Sequence, residues 1–404
     1  MKILQINANV NSGSTGRIAE DIGRVLLKDT HQSFIAAGFT DRPSASQVIG
    51  IGNKWDQKLH GIKTRLIDRH GFGSKGATLQ LVKEIEQIGP EIIHLHNLHG
   101  YYLHIGVLFE YLKEVQLPVV WTFHDCWPFT GHCSFFDRYQ CTKWQKVCHH
   151  CPNIKGYPAS LGVDNSRQNY QDKKNIFNGL ENCTIVTPSE WLANHLHASF
   201  LQNYPVKCIH NGIDLNVFSP SVNSESILDK YQINRNPYIL GVASTWDIRK
   251  GLKDFEALSQ RKDKPFQVVL VGLSKKQIKS LPTGIIGIER TENTDELAAL
   301  YATATVFVNP SYVDNFPTTN LEALACGTPV ITYNTGGSPE AIDAETGIVV
   351  GKGDIKGLHK AILQISSKGK DFYKVKCRER AVQSFNKEER YKDYLELYKS
   401  MLKQ

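Results

Sequence analysis

The sequence predicts an α/β protein built from two doubly wound parallel-sheet domains. Short apolar, β-branched segments without polar alternation recur along the chain, as expected for parallel strands covered on both faces by helices. These segments form two successive series, and within each series the segments are separated by stretches with a helical pattern. A length of 404 residues suits two domains. The first series reads KILQIN, SFIAAG, IIHLHN, VVWTFHD, TIVTPS and VKCIHNG, and the second reads YILGVAS, FQVVLVG, GIIGIER, TVFVNPS, PVITYN and GIVVGKG.

The boundary between the domains is expected within residues 210–226, where turn-forming and polar residues collect. We assign residues 1–212 to an N-terminal Rossmann-like domain and residues 213–385 to a second Rossmann-like domain. Residues 126–160 form a cysteine-rich insertion in the first domain, and residues 386–404 a C-terminal amphipathic helix. Ligands of parallel sheets bind beyond the carboxyl ends of the strands, so two facing sheets would border a central cleft.

Composition excludes several classes of protein. The net charge of +7, from 47 basic and 40 acidic residues, suits anionic ligands or an anionic membrane surface but falls short of a nucleic-acid-binding protein. No apolar run approaches the roughly 18 residues of a membrane span, and the opening MKILQINANV indicates a buried strand rather than a signal peptide. We therefore expect a cytoplasmic protein, with loose attachment to the inner face of the cell membrane compatible with its charge.

Two carboxylates bracket the start of a predicted helix in the second half. TVFVNP is a predicted strand, SYVDNFP the loop after it, and TTNLEALAC a helix with Thr318 or Thr319 as its N-cap. Asp314 precedes this helix, and Glu322 lies about one turn inside it. The unpaired N–H groups and the positive end of a helix dipole suit a diphosphate. The alternative is that an acidic residue simply stabilises the helix start.

The segment DNFPTTNLEALACGTPVI resembles the acidic-x7-Glu motif of the large retaining glycosyltransferase family with a GT-B fold, the family-four type. TFHD, TPSEWLANHL, NGIDLNVFSP, RKG and GGSPEAI also have counterparts in this family (glycosyl transferases group 1), in its polysaccharide-biosynthesis branch. The resemblance implies that Asp314 contacts the donor-sugar hydroxyls and Glu322 the ribose. Asp314 stands where the family usually has Glu, which shortens the reach by one methylene. The resemblance adds these donor-site residues: Asn315, Phe316, Pro317, Thr318 and Thr319.

Two cations follow the first strand of the second series. Arg249 and Lys250 would face the diphosphate, because fixed cations stabilise the charge that a leaving nucleoside diphosphate gains and can replace a metal ion. The family usually has an Arg at the position of Ser244, and we expect Arg249 to substitute for it. The alternative is a solvated basic helix start, although cations there oppose the helix dipole.

Two glycines follow the first strand of the chain. Gly13 and Gly16 let the backbone approach a ligand, and in the family this loop borders the phosphates and sugar of the donor. The G-x-G-x-x-G spacing and an acidic residue for a nicotinamide ribose are missing, which disfavours a dehydrogenase.

Histidines cluster at the strand ends of the first half. The resemblance places His124 at the active-site histidine, although a lone histidine at a strand end is more often structural. In this family the leaving phosphate takes the proton of the acceptor. We count His124 with Asp314 as catalytic, and His124 would therefore position and stabilise the transferred sugar and need not be a general base. Tyr101 and Tyr102 could stack on a sugar ring, and His94 shares a strand face with His96. The residues expected on the acceptor side are His96, Asn97, His99, Tyr101 and Asp125.

Five of the nine cysteines lie within residues 126–151. An odd number of cysteines without an export signal predicts metal ligands or reduced thiols rather than disulfides. One interpretation is a structural zinc site, with His149 and His150 as alternative ligands; the other is a compact insertion with reduced thiols. The four expected zinc ligands are Cys133, Cys141, Cys148 and Cys151.

The sequence thus predicts a retaining glycosyltransferase that moves a sugar from a nucleoside-diphosphate sugar to a saccharide or lipid-linked acceptor, without a cofactor for catalysis. Cell-surface polysaccharide synthesis is the setting that the resemblance implies. Three alternatives remain: a nucleotide-sugar epimerase of the same fold, a pyridoxal-phosphate-dependent phosphorylase, for which no lysine motif is evident, and a non-catalytic saccharide- or nucleic-acid-binding protein with a metal module.

Overall fold

The chain folds into two compact units, each built on one parallel sheet. The first unit comprises Met1–His210 and the segment that begins at Arg390, and the second comprises Asn211–Glu389. Neighbouring strands are parallel in both sheets. The predicted α/β class with two parallel sheets is therefore confirmed. The computed structural model describes residues 1–221, 225–234 and 237–403.

The sheet of the first unit has seven strands in the order β3-β2-β1-β4-β5-β6-β7. Its strands are β1 (Lys2–Asn9), β2 (Gln32–Phe39), β3 (Gln47–Gly50), β4 (Ile92–Leu95), β5 (Val119–Thr122), β6 (Cys183–Thr187) and β7 (Val206–Cys208). Its helices are α1 (Gly13–Lys28), α2 (Lys54–Ile67), α3 (Lys75–Ile88), α4 (Ile105–Val115), α5 (Ser166–Phe177) and α6 (Glu190–His197).

Both faces of this sheet are buried. Ile3 and Leu4 point to opposite faces of β1, and each is 0% exposed. The chain order reverses between β1 and β4, where Ile3 pairs with Ile92. Such a switch point opens a crevice at the carboxyl ends of the two strands. Strand β3 was missed by the sequence analysis because it is a short edge strand whose side chains are largely exposed and carry little apolar pattern.

The sheet of the second unit has six strands in the order β10-β9-β8-β11-β12-β13, with its switch point between β8 and β11. Its strands are β8 (Tyr238–Val242), β9 (Gln267–Val271), β10 (Ile285–Ile288), β11 (Val306–Asn309), β12 (Val330–Tyr333) and β13 (Gly347–Val350). Its helices are α7 (Glu225–Lys230), α8 (Leu252–Ser259), α9 (Lys275–Ser280), α10 (Thr294–Thr303), α11 (Thr318–Ala325), α12 (Ile355–Lys368) and α13 (Lys370–Phe385).

The last helix, α14 (Lys387–Met401), returns the chain to the first unit. Tyr398 is fully buried, and its hydroxyl lies 2.6 Å from Nδ1 of His94 on β4. Thr122 donates a 3.3 Å hydrogen bond to the hydroxyl of Tyr394. The predicted terminal helix is therefore part of the core of the first unit from Arg390 onwards.

The cysteine-rich segment between β5 and α5 has little regular structure. It contains three short 3-10 turns, Trp127–Phe129, Asp137–Tyr139 and Lys143–Gln145. Its side chains nevertheless form a small aromatic core, in which the ring of Phe136 lies 4.7 Å from that of Trp144. Within the described residues, no helix has the length and apolar character needed to span a membrane.

Candidate functional site

The loops after β8 and β11 meet at the switch point of the second sheet. The backbone N–H of Tyr312 donates a 2.7 Å hydrogen bond to the carbonyl of Arg249. Gly251 has a φ of +74°, and a Cβ there would lie 2.3 Å from the carbonyl oxygen of Pro310. A glycine is therefore required for the two loops to approach this closely.

This contact brings Lys250 and Asp314 together. Nζ of Lys250 lies 2.6 Å from Oδ2 of Asp314, and the two side chains are 27% and 15% exposed. The second carboxylate oxygen of Asp314 accepts a 3.1 Å hydrogen bond from the N–H of Asn315. A cation and a carboxylate assigned to different groups of one ligand thus lie side by side.

Arg249 has a neighbouring carboxylate of its own. The guanidinium of Arg249 lies 2.7 Å from Oδ2 of Asp247. The backbone N–H of Arg249 donates a 2.8 Å hydrogen bond to Oδ1 of the same carboxylate. Asp247 therefore offsets part of the positive charge that the sequence analysis assigned to the diphosphate. Ser244, where the family has Arg, lies earlier in the same loop after β8, and Arg249 as its substitute stays a prediction.

Glu322 is buried inside α11. It is 8% exposed, and its carboxylate accepts a 2.8 Å hydrogen bond from the hydroxyl of Tyr301 on α10. Helix α11 begins at Thr318 with Pro317 in the N-cap position, so neither Thr318 nor Thr319 is the cap that was expected. A buried carboxylate with a neutral donor retains much of its capacity to accept hydrogen bonds from a ligand.

The predicted donor-site residues that follow Asp314 differ in how far their side chains are buried. The side chain of Phe316 is 4% exposed and packs on Phe385, with ring centroids 5.9 Å apart. Asn315 is 5% exposed. A contact of Phe316 with a donor would therefore involve its backbone more than its ring. Pro317 is buried, whereas Thr318 and Thr319 are partly exposed.

The glycine loop after β12 supports Asp314 and was not among the predicted site residues. Gly337 donates a 2.7 Å hydrogen bond to the carbonyl of Asn315. Gly336 has a φ of +55°, and a Cβ there would lie 1.7 Å from the carbonyl oxygen of Asp314. The segment GGSPEAI carried the signal, because paired glycines before Ser-Pro mark a backbone that another chain segment approaches closely.

In the first unit, Gly13 and Gly16 lie where the chain leaves β1. Gly13 has a φ of +65° and opens α1. A Cβ at Gly16 would lie 3.1 Å from the carbonyl oxygen of Asn9, so α1 starts unusually close to the end of the strand. The backbone geometry therefore favours glycine at both positions, and this preference is compatible with the predicted ligand contact.

His124 follows β5, and the structure brings it against His96, which follows β4. Nε2 of His124 lies 3.1 Å from Nδ1 of His96, and the rings stack with centroids 5.4 Å apart. Nε2 of His96 lies 3.0 Å from Oε1 of Gln5, a fully buried residue of β1. Burial lowers the pKa of His124 to about 4 and that of His96 well below its usual value, so both rings are neutral near pH 7.

The predicted acceptor-side residues form a second polar group in this unit. Nε2 of His99 lies 2.7 Å from Oδ2 of Asp125, and its Nδ1 lies 3.0 Å from the hydroxyl of Tyr157. Burial raises the pKa of Asp125, but the electrostatic interaction and hydrogen bond with His99, together with the hydrogen bond from the N–H of Trp127, outweigh burial and lower this pKa. Tyr157 was missed because it lies in the irregular insertion, far along the chain from its partners.

The structure bears on two further expectations: that Tyr101 and Tyr102 stack on a sugar ring, and that His94 and His96 share a face of their strand. Tyr102 is 1% exposed and donates a 2.7 Å hydrogen bond to the carbonyl of Asn97, so the expectation that it stacks on a sugar ring is wrong. Tyr101 is partly exposed, and it adopts a φ of +68°. His94 and His96 do share a face, with ring centroids 4.0 Å apart.

The four predicted zinc ligands line one small pocket. Cys148 accepts a 3.2 Å hydrogen bond from the N–H of Gly131. A hydrogen bond with the thiol of Cys133 lowers the pKa of Cys151. All nine cysteines are free thiols. As their side chains stand, no three His, Cys, Asp or Glu residues of the described ranges form a group that could hold a metal ion.

His132 adds a feature to the same pocket that the sequence analysis missed. Its Nδ1 lies 2.6 Å from Oδ1 of Asp68, and both side chains are almost completely buried. Its Nε2 is buried without a hydrogen-bond partner. A ring nitrogen in this state is a potential ligand atom.

Two successive parallel-sheet units of this kind define the GT-B class of glycosyltransferases. Two family models match the chain: Glycosyltransferase Family 4 over residues 15–217 and Glycosyl transferases group 1 over residues 236–368. The chain belongs to glycosyltransferase family 4, a family of retaining enzymes.

One curated relative and two solved structures are distant in sequence but cover most of the chain. WcaC of Escherichia coli K12, named for colanic acid biosynthesis, is 24% identical over 375 residues, which cover 88% of each chain. Sucrose-phosphate synthase from Thermosynechococcus elongatus superposes with a TM-score of 0.73 at 20% identity and covers 99% of this chain and 98% of its own. Anabaena HepE in complex with UDP superposes with a TM-score of 0.68 at 16% identity, covering 99% and 100%.

Proposed function

We propose that the protein transfers a sugar from a nucleoside-diphosphate sugar to a saccharide or lipid-linked saccharide acceptor in the synthesis of a cell-surface polysaccharide. The observation that carries the proposal is the Lys250–Asp314 pair at the carboxyl edge of the second sheet. The setting is supported by the likeness to WcaC, whose name refers to colanic acid, and a uridine nucleotide by the likeness to HepE, solved with UDP.

In this proposal Lys250 binds the diphosphate and stabilises the charge that develops as the glycosidic bond breaks. Asp314, held by Lys250 and by the N–H of Asn315, accepts hydrogen bonds from the donor sugar, and Glu322 accepts them from the ribose. Arg249 assists at the diphosphate. Asn315, Phe316, Pro317, Thr318 and Thr319 complete the donor site through backbone and side-chain contacts, together with Gly13 and Gly16.

On the acceptor side, His124 positions the transferred sugar, and His99 is held by Asp125. The acceptor hydroxyl attacks the anomeric carbon on the face that the leaving group departs from, and the leaving phosphate takes the proton of the acceptor. No side chain then has to act as a general base, which fits His124, because burial lowers its pKa to about 4 and makes the ring a weak base. His96, Asn97 and Tyr101 complete this side.

The test is a transfer assay with uridine, guanosine and adenosine diphosphate sugars and a panel of saccharide and lipid-linked acceptors. Nucleoside diphosphate should be released only with a suitable acceptor, and nuclear magnetic resonance of the product should show the anomeric configuration of the donor. Isomerisation of the donor without acceptor would instead establish the epimerase alternative. Inversion at the anomeric carbon would contradict the proposal.

A cytoplasmic location, with loose attachment to the anionic inner face of the cell membrane, belongs to the same proposal. It is supported by the net charge of +7 and by nine cysteines that are all free thiols, as suits a reducing compartment.

We also propose that the cysteine pocket binds a structural zinc ion with ligands from Cys133, Cys141, Cys148 and Cys151, for which the thiols must turn toward one point. The buried Nε2 of His132, with Asp68 on its other nitrogen, supports a metal because carboxylate–histidine pairs commonly accompany zinc. His132 is therefore an alternative fourth ligand.

A buried cation beside this pocket also supports the zinc proposal. Lys173 is 1% exposed, and its ammonium donates hydrogen bonds to the carbonyls of Trp127 and Thr130, at 2.7 and 3.0 Å. Thr130 lines the pocket. Burial lowers the pKa of Lys173 to about 7, and zinc with four thiolates would carry a net negative charge that stabilises the charged form of this amine.

Metal analysis of the purified protein tests the zinc proposal without reference to activity. We expect about one zinc per chain, lost on Cys151→Ser and retained on Cys183→Ser, because Cys183 lies on β6 outside the pocket. If the protein is produced in a medium that contains zinc and is then purified without bound zinc, the proposal is contradicted.

A further inference from the structure

The hydrogen bonds around Gln5 determine which nitrogen of the His124 ring carries the proton. Gln5 is fully buried, and one end of its side-chain amide lies 2.8 Å from the carbonyl oxygen of Ala19. A backbone carbonyl can only accept a hydrogen bond. The NH₂ group of Gln5 must therefore face Ala19, which leaves Oε1 facing His96.

The orientation of this amide fixes the tautomer of His96. Oε1 of Gln5 can only accept, and it lies 3.0 Å from Nε2 of His96. Nε2 of His96 therefore carries the proton. Since burial keeps the pKa of His96 well below its usual value, the ring is neutral and its Nδ1 is an acceptor.

The same reasoning then applies to His124. Its Nε2 lies 3.1 Å from the acceptor nitrogen of His96, and a hydrogen bond of that length requires a proton on Nε2 of His124. The neutral ring of His124 is consequently protonated on Nε2 and not on Nδ1. The stacked arrangement of the two rings, 17° from parallel, holds this geometry.

We propose that Gln5 and His96 are positioning residues that fix His124 in the Nε2–H tautomer, so that its Nδ1 acts as a hydrogen-bond acceptor for a hydroxyl of the transferred sugar. The inference rests on the proposed function for the identity of the ligand, but the tautomer follows from the hydrogen bonds of Gln5 and His96 and from the burial of the two rings. His124 then orients a hydroxyl by accepting from it and does not donate a proton to the leaving group.

Long-range ¹H–¹⁵N correlation spectra of protein labelled with ¹⁵N-histidine test the inference directly, because the two neutral tautomers give different patterns. Loss of one set of signals in His124→Gln assigns them. We expect wild-type His124 at pH 7.5 to be wholly in the Nε2–H form, and an Nδ1–H form would overturn the inference. No ligand is needed, and no variant has to remain active.

Substitution of the glutamine tests the cause. In Gln5→Met the amide that orders the chain of hydrogen bonds is lost, so the spectrum of His124 should show both tautomers, and kcat should fall at least about tenfold, the worth of one good hydrogen bond. Thr122→Val is the matched control: it removes a buried partner of His94, 2.8 Å away, and should leave the His124 pattern unchanged. An unaltered spectrum in folded Gln5→Met would contradict the proposed role.

Failure of this inference can be told apart from failure of the proposed function. A protein that transfers sugar but holds His124 in the Nδ1–H form would reject only the positioning role. A protein with the expected tautomer that binds and transfers no nucleotide sugar would reject the function, and with it the sugar hydroxyl as the partner of Nδ1, but not the positioning role of Gln5 and His96.

Discussion

The ammonium group of Lys250 lies 2.6 Å from the carboxylate of Asp314, a residue 64 positions further along the chain. The two side chains come from loops at the carboxyl ends of adjacent strands, β8 and β11. Before a donor binds, each offsets the charge of the other. A diphosphate that reaches Lys250 must compete with Asp314, and this competition can be measured.

Lys250→Ala should weaken the binding of a nucleoside diphosphate by about 10- to 150-fold, because one charge-assisted hydrogen bond contributes about 1.5–3 kcal/mol. Arg249→Ala, in the same turn, should have a smaller effect since Asp247 already lies 2.7 Å from that guanidinium. Calorimetric titration of both variants makes the comparison. A larger loss in Arg249→Ala would show that Arg249 is the principal diphosphate ligand.

Asp314→Asn should separate binding from transfer. With the competing carboxylate gone, Lys250 is available to the diphosphate, so the affinity for the free nucleotide should stay the same or rise. The turnover number should fall by about 100-fold or more, because the sugar loses a charged hydrogen-bond acceptor. Titration with nucleotide and turnover with nucleotide sugar are measured on one preparation. Parallel losses in both would indicate that Asp314 only maintains the loop.

Glu322→Gln tests the second carboxylate while preserving the local fold. The hydroxyl of Tyr301 donates a 2.8 Å hydrogen bond to the carboxylate of Glu322, and the amide oxygen of the variant can still accept it. The melting temperature should therefore change little. Loss of the charged acceptor for the ribose should lower nucleotide affinity about tenfold. Tyr301→Phe is the control for stability, because it removes this hydrogen bond from the buried carboxylate. Unchanged nucleotide affinity in Glu322→Gln would leave this carboxylate with a structural role only.

Buried histidines should make the protein acid-sensitive. Burial lowers the pKa of His60 to about 4, and its Nε2 accepts hydrogen bonds from the N–H groups of Gly71 and Gly73, at 3.1 and 3.3 Å. The unfolded chain takes up a proton near pH 6.5 and the folded chain only near pH 4. The free energy of unfolding should therefore be constant above pH 6.5 and fall between pH 6.5 and 4.

Urea unfolding across this range measures the slope. His60→Asn should be less stable at pH 7.5 and should lose less stability on acidification, because one titrating group is gone. His197→Gln, which alters an exposed histidine at the end of α6, should follow the wild type. Stability that is unchanged down to pH 4.5 would contradict the account.

The fold was predictable because its strands are buried on both faces and therefore read as continuous apolar runs. All twelve predicted segments contain strands of the two sheets, from KILQIN in β1 to GIVVGKG in β13. The exception, β3, is a four-residue edge strand with little apolar surface to mark it. The N-cap of α11 was also mispredicted, because Pro317 takes the position expected for a threonine.

The sequence allowed candidate site residues to be named where they lie in a loop that follows a strand. Asp314, Lys250 and His124 lie in such loops, whereas Gln5 is an interior strand residue and Tyr157 lies in an irregular segment. Their roles depend on contacts between positions far apart in the chain, such as the 58 residues that separate Tyr157 from His99. The ion pair of Arg249 with Asp247 was not predicted.

The central claim is that the second unit grips a nucleotide sugar through Lys250, Asp314 and Glu322. Calorimetric titration of UDP, GDP and ADP into the wild type, Lys250→Ala and Glu322→Gln tests it most directly. The account predicts that one nucleotide binds the wild type and that both variants bind it at least about tenfold more weakly. Failure of all three nucleotides to bind the wild type at millimolar concentrations, or equal affinity in all three proteins, would contradict it.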